Sequence, residues 1–316
     1  MKQLPIADCE LRIVNPKSEI RNPQFLELSV AEAVNNATLQ LSEAGITNAR
    51  LDAEVLLSHV LNKNRVWLIT HRDDRLDGLG SAMFTSALQR RVKREPLQYI
   101  IGNQEFWGFD FIVTPDVLIP RPETEFIIEA ALAIIQERTS PVRIIDLCTG
   151  SGCIAVSLAK ELAGAHVLAI DTSEQALIVA KKNAVHHGVA DRIRFFEGDL
   201  FAPLKKIDLL GQMDLIVSNP PYVKTNELGT LQPEVRDFEP EMALIAGPEG
   251  TELAARIIQT APEYLKKNGA LIMEMGLGQA EELRSRAEET GAYAVPEIIK
   301  DLAGIERVIV VRKTEY

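Results

Sequence analysis

Asp146-Leu147-Cys148-Thr149-Gly150-Ser151-Gly152 follows a short apolar run, 142–147, and opens onto a helical pattern. Glycines let such a strand-to-helix turn bend sharply and bring backbone N–H groups close to a ligand. Asp171 lies 21 residues beyond Gly150, at the end of the next apolar run, 166–170. A carboxylate there accepts hydrogen bonds from ribose hydroxyls. Loop and carboxylate together point to a bound nucleoside; a plain glycine turn beside an exposed aspartate is the weaker reading. Gly150, Gly152 and Ala155 also satisfy the dinucleotide pattern G-x-G-x-x-A, so a nicotinamide oxidoreductase stays open at this point. Asp146 tilts the choice, because a carboxylate there attracts the cationic amino acid portion of S-adenosylmethionine, a group that NAD lacks beside its pyrophosphate.

Downstream, apolar runs at 192–196, 213–217, 270–275 and 307–311 alternate with helical patterns, and Asp199 and Asn219 follow the first two. This alternation predicts an α/β fold, a doubly wound and mainly parallel sheet with its ligand at the carboxyl ends of the strands. Upstream, Phe106, Trp107, Phe109, Phe111, Ile112 and Val113 cluster with Gly102 and Gly108 between 97 and 119, which predicts a β-hairpin linker bounded by Pro115 and Pro120. Residues 27–96 are helical in pattern, with Leu28, Ala31, Val34, Leu39 and Leu41 in one face and Leu51, Val55, Leu56, Val60 and Leu61 in another. Gly45 separates these two helices, Asn48 is the expected N-cap of the second, and further helices fit near 65–71 and 79–93. The expected plan is a polar extension over 1–26, a small helical bundle over 27–96, the hairpin over 97–119, and a nucleoside-binding domain over 120–316.

Asn219-Pro220-Pro221-Tyr222 follows the strand run 213–217. An amide or aromatic NH₂ is a poor nucleophile because its lone pair is delocalised. Acceptors aimed at both its hydrogens hold the nitrogen towards a methyl donor and favour the positive charge that develops on it. The Asn219 side-chain oxygen and the Pro220 carbonyl suit that task. Pro221 restricts the residue before it, and Tyr222 can pack on a flat acceptor. The same logic serves a glutamine side chain, adenine or cytosine.

The chain carries 34 Lys and Arg against 45 Asp and Glu, a net charge of −11. Such a balance opposes tight binding to duplex DNA, which relies on phosphate neutralisation, and suits a basic protein partner. Cys9, Cys148 and Cys153 form no C-x-x-C pair, as expected of a reduced cytoplasmic protein. His186-His187 reads as a helix end, and no metal site is expected. No apolar run reaches the ~20 residues of a membrane span.

With these residues in place the chain resembles the Rossmann-like class I methyltransferases that act on amino groups. More narrowly it resembles the bacterial peptide chain release factor N(5)-glutamine methyltransferases, from about residue 28 to the C-terminus. The segments that carry this likeness are Ala49-Arg50-Leu51-Asp52-Ala53-Glu54, Pro96-Leu97-Gln98-Tyr99-Ile100-Ile101-Gly102, Glu105-Phe106-Trp107-Gly108 and Val117-Leu118-Ile119-Pro120-Arg121-Pro122-Glu123-Thr124-Glu125. The resemblance implies S-adenosylmethionine as cofactor, a release factor as protein partner, and the glutamine of its Gly-Gly-Gln loop as acceptor. It implies a helical domain that helps to recognise that partner. Cys148, Thr149, Gly150, Ser151 and Gly152 would form the cofactor loop, with Asp171 on the ribose, Asp199 and Leu200 beside the adenine, and Asn219 reaching the cofactor as well. Asn219, Pro220, Pro221 and Tyr222 would hold the glutamine, with Asn219 and Pro220 as the catalytic pair. Cys148 departs from the family, many of whose members carry glycine there.

Three other functions compete. A close relative methylates a glutamine of a ribosomal protein; the segment Glu234-Val235-Arg236-Asp237-Phe238-Glu239-Pro240 looks more like the release-factor type. A DNA adenine or cytosine methyltransferase would share the tetrapeptide, and a non-catalytic binding module would share the fold. Of the remaining residues, Trp107 reads as hairpin packing and Cys153 as core, whereas Arg121 to Thr124 either line the site or cap a helix that starts near Glu125.

Overall fold

The computed structural model describes residues 28–135 and 141–314; the expected polar extension lies outside them. Five helices come first: α1 (Val30–Glu43), α2 (Ala49–Leu61), α3 (Arg65–Thr70), α4 (Gly78–Val92) and α5 (Leu97–Ile101). A capping box starts α1: the Ser29 hydroxyl accepts from the Glu32 N–H, and the Glu32 carboxylate accepts from the Ser29 N–H at 2.8 Å. Gly45 makes the turn to α2 at φ 77°. Asn48 occupies the N-cap position of α2, but its side chain makes no capping bond. Its ψ of 39° lies outside the extended region from which a cap side chain reaches back to the helix.

Ala37, Leu41, Ala53, Leu56, Leu57 and Leu88 fill the core of this bundle. Leu39 and Leu51, which helical spacing placed on the apolar faces, are exposed. Ile100 of α5 joins the bundle core, so 97–101 is a helix of the bundle rather than the start of the hairpin. The hairpin itself pairs β1 (Asn103–Phe106) with β2 (Phe109–Ile112). It is more than a linker, because Phe106 and Phe111 are fully buried in the core of the second domain.

That domain contains α6 (Glu125–Ile135), β3 (Arg143–Leu147), α7 (Cys153–Glu161), β4 (His166–Asp171), α8 (Glu174–His186), β5 (Ile193–Glu197) and β6 (Met213–Ser218). It continues with β7 (Val223–Lys224), α9 (Pro233–Phe238), β8 (Ile245–Gly247), α10 (Glu252–Tyr264), β9 (Leu265–Glu274), α11 (Ala280–Glu289), β10 (Glu297–Lys300) and β11 (Glu306–Arg312). Seven strands form one sheet in the order β10-β11-β9-β6-β3-β4-β5, and β7 pairs with β8 apart from it. Strands β9, β6, β3, β4 and β5 are parallel, and β11 runs antiparallel to β9 and β10. Alternate residues of the strands face opposite layers: Ile144, Val217 and Ile272 pack towards α6 and α7, whereas Ile145, Ile216 and Leu271 pack towards α10 and α11. From β3 the chain builds one half of the sheet through β4 and β5, then crosses to β6 and β9. The strand order reverses between β3 and β6, and a crevice opens there at their carboxyl ends.

Bundle and sheet domain meet through a buried ion-pair network. Arg91 donates to Asp52 at 2.8 Å and to Glu234 of α9 at 3.1 Å, and Arg94 donates to the other Glu234 oxygen at 2.6 Å. Arg91 and Asp52 are each only 7% exposed. Among the described residues no helix is long and apolar enough to cross a membrane.

Candidate active site

A cavity of about 290 Å³ occupies the crevice. Its wall includes Cys148, Thr149, Gly150 and Ser151 after β3, Asp171 at the end of β4, and Asp199 with Leu200 after β5. The turn is tied to the neighbouring strand: Asp171 accepts from the Gly150 N–H at 2.8 Å and from the Ser173 N–H at 2.9 Å. Burial nevertheless holds the Asp171 carboxyl above its ordinary range, against the pull of those backbone donors. Asp199 pairs with Arg256 on the cavity rim, an exposed contact of small energetic weight.

Two of the expected cofactor residues, Gly152 and Asp146, lie off the wall. Gly152 serves packing, since a Cβ there would stand 3.0 Å from the Ala180 Cβ of α8. Asp146 is wholly buried beneath the turn, where one carboxylate oxygen accepts from the Thr149 hydroxyl and the other has no protein partner. Burial pushes its carboxyl up to about 7, opposed by the Thr149 bond and reinforced by the Asp171 charge. Thr149 therefore stands between Asp146 and the cavity.

Cys148 has a φ of 58°, in the left-handed region. Relief of strain in a Cys148→Gly variant, about 1–2 kcal/mol, exceeds the roughly 0.5–1 kcal/mol lost to glycine's freedom in the unfolded chain. The variant should unfold at a slightly higher denaturant concentration than the parent, and a lower midpoint would contradict this account of the loop.

The tetrapeptide after β6 alternates between two cavities, as an extended chain does. Asn219 borders both; Pro221 faces the larger one, and Pro220 and Tyr222 face a second of about 130 Å³. Pro221, expected beside the acceptor, thus lies on the other side. Arg121 and Val235 also line the smaller cavity, and buried Glu239 fixes Arg121 while accepting from the Ile119 N–H. Thr124 lines the larger cavity, on a single helical turn ahead of α6.

Thr124 and Arg121, which the sequence placed either in the site or at a helix cap, line the two cavities, whereas Glu274, Gln279 and Asn183 escaped the sequence reading. The Asn219 side-chain nitrogen donates to the Thr124 hydroxyl at 3.0 Å, and that hydroxyl donates to Glu274 at 2.6 Å. Glu274 ends β9 at 2% exposure. Its signal was a lone carboxylate within the apolar run Ile272-Met273-Glu274-Met275. Gln279 braces the tetrapeptide, donating to the Tyr222 carbonyl at 3.0 Å. Buried Asn183 joins hairpin to cofactor loop, donating to the Ile112 carbonyl at 3.0 Å and to the Ser151 carbonyl at 2.8 Å. Trp107 packs on the core edge with its ring nitrogen on Glu161, and His187 lies against Phe109 and Phe111. Among the described residues no group of His, Cys, Asp and Glu could hold a metal ion.

Comparison with known proteins bears on the family and the fold. A family described as PrmC N-terminal domain matches residues 32–102, and one described as Methyltransferase small domain matches 129–232. The human METTL16 catalytic domain shares the fold, with a TM-score of 0.54 at 20% identity over 73% of this chain and 82% of that one. A release factor glutamine methyltransferase of Geobacter sulfurreducens is 46% identical over 85% of this chain and 91% of its own length. Its counterpart in Nitratidesulfovibrio vulgaris is 41% identical over 89% and 94%. Identity of this extent takes in bundle, hairpin and sheet domain together, and places the chain in the release factor glutamine methyltransferase family.

Proposed function

We propose that this enzyme transfers a methyl group from S-adenosylmethionine to the side-chain amide nitrogen of the glutamine in the Gly-Gly-Gln motif of a peptide chain release factor. One observation carries the reading: Asn219 stands at the border of two cavities, one behind a nucleoside-binding turn and one beside the Pro220 carbonyl.

The larger cavity suits the cofactor. Thr149, Gly150 and Ser151 face it beside the Asp171 carboxylate, and Leu200 offers an apolar surface for the adenine. Asp146, with an unpartnered buried oxygen under Thr149, supplies negative potential below the place for an amino acid ammonium. When bound, S-adenosylmethionine would supply a methyl group on a sulfonium, whose sulfur departs as a neutral thioether without acid assistance, while the nitrogen's surplus proton passes to water.

The chain's own task is then to present the acceptor. The Asn219 side-chain oxygen and the Pro220 carbonyl accept the two amide hydrogens, so that the nitrogen lone pair is turned towards the larger cavity. The same acceptors stabilise the charge that grows on nitrogen. Tyr222 packs on the amide plane, and Arg121 with Val235 closes the pocket. The bundle, joined to α9 through Arg91 and Arg94, is placed to help hold the protein substrate.

Incubation with a purified release factor and S-adenosylmethionine, followed by intact mass and peptide mapping, tests the proposal. A single added methyl on the Gly-Gly-Gln glutamine is expected. Methylation of a ribosomal protein instead, with the release factor untouched, would overturn the choice of substrate.

A further inference from the structure

The two ends of an asparagine carboxamide have nearly the same shape, so hydrogen bonds alone decide which end faces a neighbour. At Asn219 that choice sets the chemistry of the acceptor site. An oxygen turned to the substrate welcomes an NH₂; a nitrogen turned to it opposes donor to donor and welcomes a carboxylate.

We propose that Thr124 and Glu274 are positioning residues that lock the Asn219 carboxamide with its oxygen towards the acceptor, and that they thereby make the site select glutamine over glutamate. The proposal rests on the reading of Asn219 as the residue that holds the acceptor amide. Ionised Glu274 can only accept, and it takes the single hydroxyl hydrogen of Thr124 at 2.6 Å. The Thr124 oxygen is then left only as an acceptor towards Asn219, which must offer its NH₂, as it does at 3.0 Å. The Asn219 oxygen consequently points away from Thr124, at the other end of the planar carboxamide. Thr124 is 1% and Glu274 2% exposed, so water does not compete for the bond between them.

The relay depends on the charge of Glu274. Facing its carboxyl are the Tyr222 phenol after β6, the Arg307 guanidinium of β11 and the Glu123 carboxylate beside Thr124. Burial pushes it up to about 7, a rise that the Thr124 and Tyr222 bonds and Arg307 oppose and Glu123 reinforces. Protonated Glu274 can donate to Thr124, whose hydrogen is then free to turn towards Asn219 and reverse the carboxamide. Turnover should therefore rise with pH through neutrality.

The test compares the wild-type enzyme with Thr124→Val, Thr124→Ser and Glu274→Gln. Readouts are turnover on a release factor, cofactor affinity, and inhibition by a Gly-Gly-Gln peptide and its Gly-Gly-Glu counterpart. Thr124→Val should lower kcat about 10- to 100-fold, the scale of a misaligned reacting group, and lower cofactor affinity far less, although Thr124 borders the larger cavity. Its preference for the glutamine peptide over the glutamate peptide should fall, and Thr124→Ser should recover most of both. Glu274→Gln keeps the shape but can donate to Thr124; it should lose preference in the same way and flatten the pH profile, and it serves as well if Thr124→Val does not fold. Unchanged preference in the folded variants, or parallel loss of cofactor binding and turnover, would overturn the proposal. A wild-type enzyme that binds cofactor but leaves the release factor unmethylated would instead overturn the function proposed above, and this inference with it.

Discussion

Asn219→Ala is expected to lower turnover on a release factor by about a hundred- to a thousandfold, the usual cost of removing one preorganised polar group from a transition state. S-adenosylmethionine affinity should change little by comparison. Asn219 borders the larger cavity, but it is one of many residues on that wall, which also includes the turn after β3, Asp171, Asp199 and Leu200. In the proposed reaction the carboxamide oxygen faces a nitrogen that becomes positive only as the methyl transfers, so its removal should be felt in kcat rather than in ground-state binding. Single-turnover rates and calorimetric titration of the cofactor, measured on the same preparations, separate the two effects. Equal losses in both would show that Asn219 serves the cofactor and not the acceptor.

The largest expected effect on stability falls at Arg91. Its guanidinium joins Asp52 of α2 to Glu234 of α9. Removing one member of a buried ion pair leaves the other charge in low dielectric and costs about 3–5 kcal/mol. Arg91→Ala strands Asp52 in this way, while Glu234 keeps Arg94. The bundle should therefore unfold at a lower denaturant concentration than the sheet domain, visible as a separate early transition. Asp52→Leu combined with Arg91→Met removes both charges and should recover much of the loss, since apolar replacement of a whole buried pair is often close to neutral. A single variant that unfolds with the parent's midpoint would show that water reaches this network.

The sheet domain could be read from sequence because its cues are local. The turn 148–152, Asp171 after a strand and the tetrapeptide after another each combine a periodic run with the residues that end it. The bundle was legible in the helical spacing over 27–96, and the likeness of the segments 49–54, 96–102, 105–108 and 117–125 to a family added the substrate. What stayed hidden depends on distance or brevity. Asn183 reaches Ile112, and Thr124 reaches Glu274, across the folded chain. Strands β7 and β8, of two and three residues, are too short to show a period, and β10 is a half-buried edge strand of four. The same brevity concealed α5, five residues long. The left-handed backbone at Cys148 is set by how the turn meets β4, where the Thr149 N–H donates to the Ile170 carbonyl at 3.0 Å, and composition carries no trace of it.

The junction at Glu234 bears on how such an enzyme could acquire a different protein substrate. Val235, the next residue, forms part of the wall of the smaller cavity, the proposed acceptor pocket, and Glu234 is gripped by two arginines of the bundle. Under the proposed function, recognition and chemistry are therefore not separable cassettes. Grafting a foreign N-terminal bundle onto this catalytic half would leave Glu234 without its cations and loosen the acceptor wall, even with every reacting group intact. Lineages that exchange bundles should have to carry Arg91, Arg94 and Glu234 across as one inherited unit.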